Sequence, residues 1–143
     1  MHTDIQIAGI KANYPAYTVA WQINQAFDMQ FHMSLDWEIE NKVGEVNKHI
    51  HFFEQFEDVE LNWHLIQNRS EKSFIFNSKP LFDYFLICHG EDIYKYFERA
   101  VASVENTSII SHIFSFPFSI VKPQNSIYNN LINTKNFISE YNV

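Results

Sequence analysis

Positive charge is scarce in this sequence. Ten Lys and Arg stand against 17 Asp and Glu, giving a formal charge of -7, and the basic residues are scattered with no run of three. A protein that neutralises nucleic-acid phosphates concentrates Lys and Arg on one surface, so the composition argues against direct nucleic-acid binding. Cysteine is limited to Cys88, which excludes an intrachain disulfide and a zinc site built on thiolates. Three glycines and four prolines are too few for a low-complexity chain, and no glycine-rich phosphate loop or nucleophile elbow is present. No apolar run approaches the roughly 20 residues of a membrane helix. Met1 to Ile5 shows neither the basic nor the apolar region of a secretory leader, so a soluble cytoplasmic protein with no membrane contact is expected.

Aromatic residues are abundant instead. They make up 17% of the 143 residues, with 14 Phe among them. A chain of this length buries a core without staples, and the phenylalanines are its natural material. The richest stretch is Phe74 to Cys88, where Asn77-Ser78-Lys79-Pro80 leads into Leu81 to Cys88, apolar but for Asp83. An apolar run of that length behind turn residues predicts a strand buried on both faces in the middle of a sheet.

The flanking segments supply the layers. Ile5, Ile7 and Ile10 predict a first strand. Pro15 opens a helix whose stripe is Ala16, Val19, Ala20, Ile23, Ala26 and Phe27, with Gln22, Asn24 and Gln25 outward. From Phe31 to Ile39 apolar and polar residues alternate strictly, which predicts one half-buried strand. His49–Phe56 and Glu60–Asn68 read as a hairpin across Glu57-Asp58-Val59. Pairing Phe56 with Leu61 puts Ile50, Phe52, Phe56, Leu61, Trp63 and Leu65 on one face. His49, His51, Phe53, His64 and Ile66 then share the other.

Beyond the central run, His89-Gly90-Glu91-Asp92 predicts a turn with acids at a helix start. Ile93, Phe97, Ala100, Val101 and Val104 mark the second helix, and Ile109 to Phe118 a last strand. The fold class expected is a single α+β domain over residues 1–122: a mostly antiparallel sheet of five to six strands with two helices packed on one face. Residues 123–143 form an irregular, Asn-rich tail with partial disorder expected at its end, in which Ile127, Leu131 and Ile132 offer a docking turn.

Three groups of residues carry a resemblance: Ile7-Ala8-Gly9-Ile10 with Tyr17 to Asn24, then Leu65-Ile66-Gln67-Asn68-Arg69, then Phe82-Asp83-Tyr84-Phe85-Leu86. In order and spacing, over roughly residues 5 to 118, the chain resembles the bacterial IPExxxVDY family. Phe82 stands where the family has Val. Phe76-Asn77-Ser78 stand where it has Ile-Pro-Glu, and Ser78 cannot act as an acid. The resemblance implies a fold and a compartment rather than a catalytic motif.

Asp83 and Tyr84 are the candidate motif. A carboxylate entering a buried strand needs hydrogen bonds, and the turn N–H groups around Asn77-Ser78-Lys79 are the expected donors; a general base in a cleft is the competing reading. His49, His51 and His64 on one sheet face are weak candidates for an open zinc site. Cys88 and His89 are neighbours on a strand and point to opposite faces, a poor geometry for a thiolate–imidazolium pair. No catalytic residue and no cofactor are assigned. The second helix carries Tyr94, Lys95, Tyr96, Glu98 and Arg99, a mixed face of the kind used at interfaces. The expected function is that of a non-enzymatic protein-interaction or accessory module, binding a protein partner or itself. A small enzyme or ligand-binding domain centred on Asp83 and Tyr84 is the alternative.

Overall fold

The computed structural model describes residues 4–40, 43–56, 58, 60–70, 73–76, 78–120 and 131. The elements are β1 (Asp4–Lys11), α1 (Ala16–Phe27), β2 (His32–Met33), β3 (Trp37–Glu40), β4 (Val46–His49), β5 (His51–Phe56), β6 (Leu61–Gln67), β7 (Tyr84–Gly90), α2 (Tyr94–Glu105) and β8 (His112–Pro117), followed by a 3-10 turn at Phe118–Ile120. Six strands form one antiparallel sheet in the order β2-β5-β6-β7-β1-β8, and β3 and β4 pair separately. The fold is α+β.

Strand β7 lies inside this sheet and every one of its residues is buried, as its apolar run predicts. It begins at Tyr84 rather than Leu81, whose side chain is 75% exposed. Its far end also differs from expectation. His89 and Gly90 belong to the strand and not to a turn, and Asp92 takes a left-handed φ of 50° ahead of α2, which has no acid in its first turn. Gly90 closes the strand at φ 151°, where a Cβ would meet the Glu60 carbonyl oxygen at 2.6 Å.

Alternation splits the sheet residues into two cores. Ala8, Ile10, Leu61, Trp63, Leu65, Tyr84, Leu86 and Cys88 cluster with Ala16, Val19, Ala20 and Ile23 of α1 and Phe97, Ala100 and Val104 of α2. Ile7, Ile66, Phe85 and Ile87, from the other face, cluster with Trp37, Ile39, Ile75, Phe76 and Leu131. Burying each large apolar side chain contributes about 1.5–3 kcal/mol, so both faces matter. The expected hairpin register is the observed one: Phe56 pairs with Leu61 and Phe52 with Leu65.

Residues 31–39 do not form one strand. β2 holds two residues on the sheet edge against β5, the chain leaves at Ser34–Asp36, and β3 resumes in the separate pair. Phe31 belongs to the helix-side core and Trp37 to the opposite one, so the segment carries the chain around the sheet edge. Met33 and Leu35, inward in a single strand, are 62% and 60% exposed. The expected strand from His49 to Phe56 is likewise interrupted at Ile50, between β4 and β5. Asn24, expected to face outward, bridges α1 to this segment: its amide donates to the Phe31 carbonyl and accepts the Phe31 N–H at 2.7 Å. Of the tail, Leu131 is described and buried; Ile127, Ile132 and the expected terminal disorder lie outside the described residues.

Candidate functional site

Asp83 enters β7 between two neighbouring segments. Its N–H donates to the Ile10 carbonyl, and its own carbonyl accepts from the Asn68 N–H at 2.9 Å. Its carboxylate Oδ2 accepts the Ala12 N–H at 3.0 Å. Among the described residues the donor is thus the backbone just beyond β1, and neither Ser78 nor Lys79, the described residues of the expected turn, donates to it. Asn68, fully buried just past the end of β6, ties down the backbone ahead of Asp83. The Asn68 side-chain amide donates to the carbonyls of Lys79 and Phe82 at 2.9 and 2.8 Å, and its Oδ1 accepts the Phe76 N–H at 3.3 Å. A buried amide whose donors and acceptor are all engaged fixes backbone firmly.

Tyr84 follows as a wall. Its hydroxyl donates to the Tyr14 carbonyl. Burial, with Asp83 beside it, pushes the phenol up to about 12, so it stays a neutral donor at physiological pH. Asp83 and Tyr84 line an open cleft of about 300 Å³ together with Ala12, Asn13, Tyr14, Pro15, Gln67 and Arg69. Gln67 and Tyr84 belong to β6 and β7, while Ala12 to Pro15, Arg69 and Asp83 lie in the connections at the ends of β1, β6, β7 and α1. Arg69 is fixed from below: its backbone bridges Phe74, and its guanidinium lies 5.4 Å from the Phe74 ring centroid.

The histidines make a second cluster on the face away from the helices. His51 Nε2 is 2.9 Å from His64 Nδ1, and His64 Nε2 is 3.0 Å from His89 Nε2. Adjacent rings are nearly parallel, with centroids 5.1 Å apart in both pairs, and Trp37 packs on His51 and His64. The His51 ring is also bonded to the backbone of Leu35. These contacts set one consistent set of neutral tautomers. If His51 donates to the Leu35 carbonyl, its Nε2 accepts from His64 Nδ1–H, and His64 Nε2 accepts from His89 Nε2–H. Desolvation lowers His51 to about 3 and His64 well below the usual imidazole range. At its His51 end the row meets the Leu35 carbonyl, which takes no proton.

His49 does not join the row. Its Nδ1 faces the Gln67 carbonyl at 3.0 Å, while His89, from β7, takes the third place. His64 turns opposite nitrogens to its two neighbours, so the ring atoms lie along a line and do not converge on a point as a zinc ion requires. Among the described residues no group of three His, Cys, Asp or Glu is arranged to hold a metal. Cys88 sits in the helix-side core, its thiol pushed up by burial, on the opposite face from His89.

The outer surface of α1 carries a feature that the apolar stripe hides. Tyr17 and Trp21, one turn apart, are 67% and 58% exposed, and Tyr14 at the cleft is 47% exposed. On α2, Tyr94, Lys95, Glu98 and Arg99 are exposed as expected, whereas Tyr96 packs against the core. Among the described residues no helix is long and apolar enough to cross a membrane. Comparison with protein-family models, curated proteins and solved structures gives no match for this chain.

Proposed function

We propose that this protein is a non-catalytic accessory module that docks a partner protein through the outer face of α1. The observation that carries this reading is the exposure of Tyr17 and Trp21 on one helical turn, since large aromatics left in water are the side chains that anchor protein interfaces. Tyr14 extends the aromatic surface to the cleft. The segments that carry the IPExxxVDY resemblance meet here too: Asp83 bonds beyond the end of the first, and Gln67 and Arg69 line the cleft with it. We place the protein in the cytoplasm, in keeping with its single, buried free cysteine.

The cleft itself favours a second reading, a small-ligand site at Asp83 and Tyr84. The Tyr84 phenol is held neutral and already donates to a carbonyl, so the geometry supports binding there more than proton abstraction. Affinity capture of the tagged protein from its native cells tests the docking reading. A stoichiometric partner retained by the wild type and lost from Trp21→Ala and Tyr17→Ala supports it. Equal capture by the variants overturns it.

A further inference from the structure

We propose that the cleft at Asp83 binds a small zwitterion carrying both an ammonium and a carboxylate, of the size of a free α-amino acid. The proposal rests on the ligand-site reading of the cleft and is independent of docking at α1. Arg69 and Asp83 line the same cavity, yet among the described residues no ion pair joins them. Each is held where it is by another contact: Asp83 Oδ2 by the Ala12 N–H, Arg69 by the Phe74 ring. Opposite charges fixed apart at one cavity discriminate by sign. A lone anion entering there meets Asp83 and a lone cation meets Arg69, whereas a zwitterion sets each of its charges against the opposite one.

The rest of the lining fits the same ligand. Pro15 lines the cleft and precedes α1, which has no side-chain cap and no acid in its first turn, so the positive end of the helix dipole at this wall favours the carboxylate of the ligand. Asn13 and Gln67 offer neutral amides to orient the bound molecule, and the half-exposed Tyr14 ring offers an apolar flank. A phosphate compound is disfavoured, since among the described lining residues Arg69 is the one cation and Asp83 supplies a negative charge to the same cavity. The volume of about 300 Å³ is at the small end for ligand sites and matches one amino acid better than a nucleotide.

The test is titration of the full chain, followed by amide NMR, with a panel of free L-amino acids and with the N-acetyl and C-amide forms of each. Saturable shifts at Ala12, Asn13, Gln67 and Arg69 are expected for at least one amino acid, with both capped forms weaker by at least about tenfold. Arg69 is exposed, so Arg69→Gln folds and should abolish the shifts, while Trp21→Ala should leave them intact. Absence of shifts with every amino acid overturns the proposal, as does equal binding of the capped forms or of Arg69→Gln. Loss of partner capture in Trp21→Ala bears on the docking face alone, so the two readings fail separately.

Discussion

Gly9 lies flat against the ring of Phe82. A Cβ built on Gly9 would stand 2.5 Å from the nearest ring carbons, closer than packed atoms come. Phe82 in turn stacks on Phe116 of β8, centroids 6.1 Å apart, so the ring has little room to retreat. Gly9→Ala is therefore expected to destabilise the domain by about 1–3 kcal/mol through overpacking. Combining it with Phe82→Leu should return much of that loss. Urea denaturation of the four-member double-mutant cycle measures the coupling, and strict additivity would show that the contact does not matter.

Asp83→Ala removes the acceptor of the Ala12 N–H and should cost about 1–3 kcal/mol. Asp83→Asn keeps an acceptor oxygen and should cost clearly less. Thermal unfolding of both variants separates hydrogen bonding from charge, since an equal loss in the two would assign the effect to the negative charge instead.

The histidine row predicts acid sensitivity. His51 and His64 have folded pKa values below the unfolded value of 6.5, so the unfolded chain takes up protons first as pH falls. Their contribution to stability is full above about pH 6.5 and is lost progressively on acidification toward the folded value of about 3 for His51. Two such groups give a slope of up to about 2.7 kcal/mol per pH unit. Denaturation midpoints between pH 7 and 4 would read this directly. His64→Leu should flatten the dependence while destabilising the protein at pH 7, because the nitrogens of His51 and His89 that it engages lose their partner.

Tyr84 sets the alkaline limit. Its folded pKa of about 12 exceeds the unfolded 10.0, so the unfolded chain ionises first and stability falls as pH rises above 10. Tyr84→Phe should shift that limb and also free the Tyr14 carbonyl, which Tyr84 engages; an unchanged alkaline limb would assign the titration elsewhere.

Cys88 should resist thiol reagents in the native protein. It is fully buried and its thiol is pushed up by desolvation, so little thiolate forms and none is accessible. Modification should track global unfolding in urea, and rapid labelling without denaturant would contradict this placement.

What could be read from the sequence was what short-range periodicity encodes. The α1 stripe, the burial of β7 and the Phe56–Leu61 register follow from 3.6- and two-residue patterns. Alternation over 31–39 misled because it reports which residues turn inward and not toward which core: Phe31 and Trp37 are both buried, on opposite sides of the sheet. Histidine spacing found His51 and His64, but His89 arrives from another strand, and β7 runs two residues further than its turn-like sequence suggests. Asn68 reads from the sequence as the last residue of the predicted Glu60–Asn68 strand. Its role depends on carbonyls 11 and 14 residues away, which no local pattern records. Tyr17 and Trp21 lie off the apolar stripe of α1, and that displacement was the signal for them.

The position of β1 has a kinetic consequence. Residues 4–11 pair with residues 84–90 on one side and 112–117 on the other, so a strand synthesised before either partner must wait for both. The β5–β6 hairpin, closed by a short connection, can form early, whereas β1 closes its contacts across most of the domain. Such non-local pairing slows folding. Until β8 is made, the apolar edge around Ile7 and Ile10 has to be kept from other chains, which makes completion of the sheet the aggregation-sensitive step of its biosynthesis.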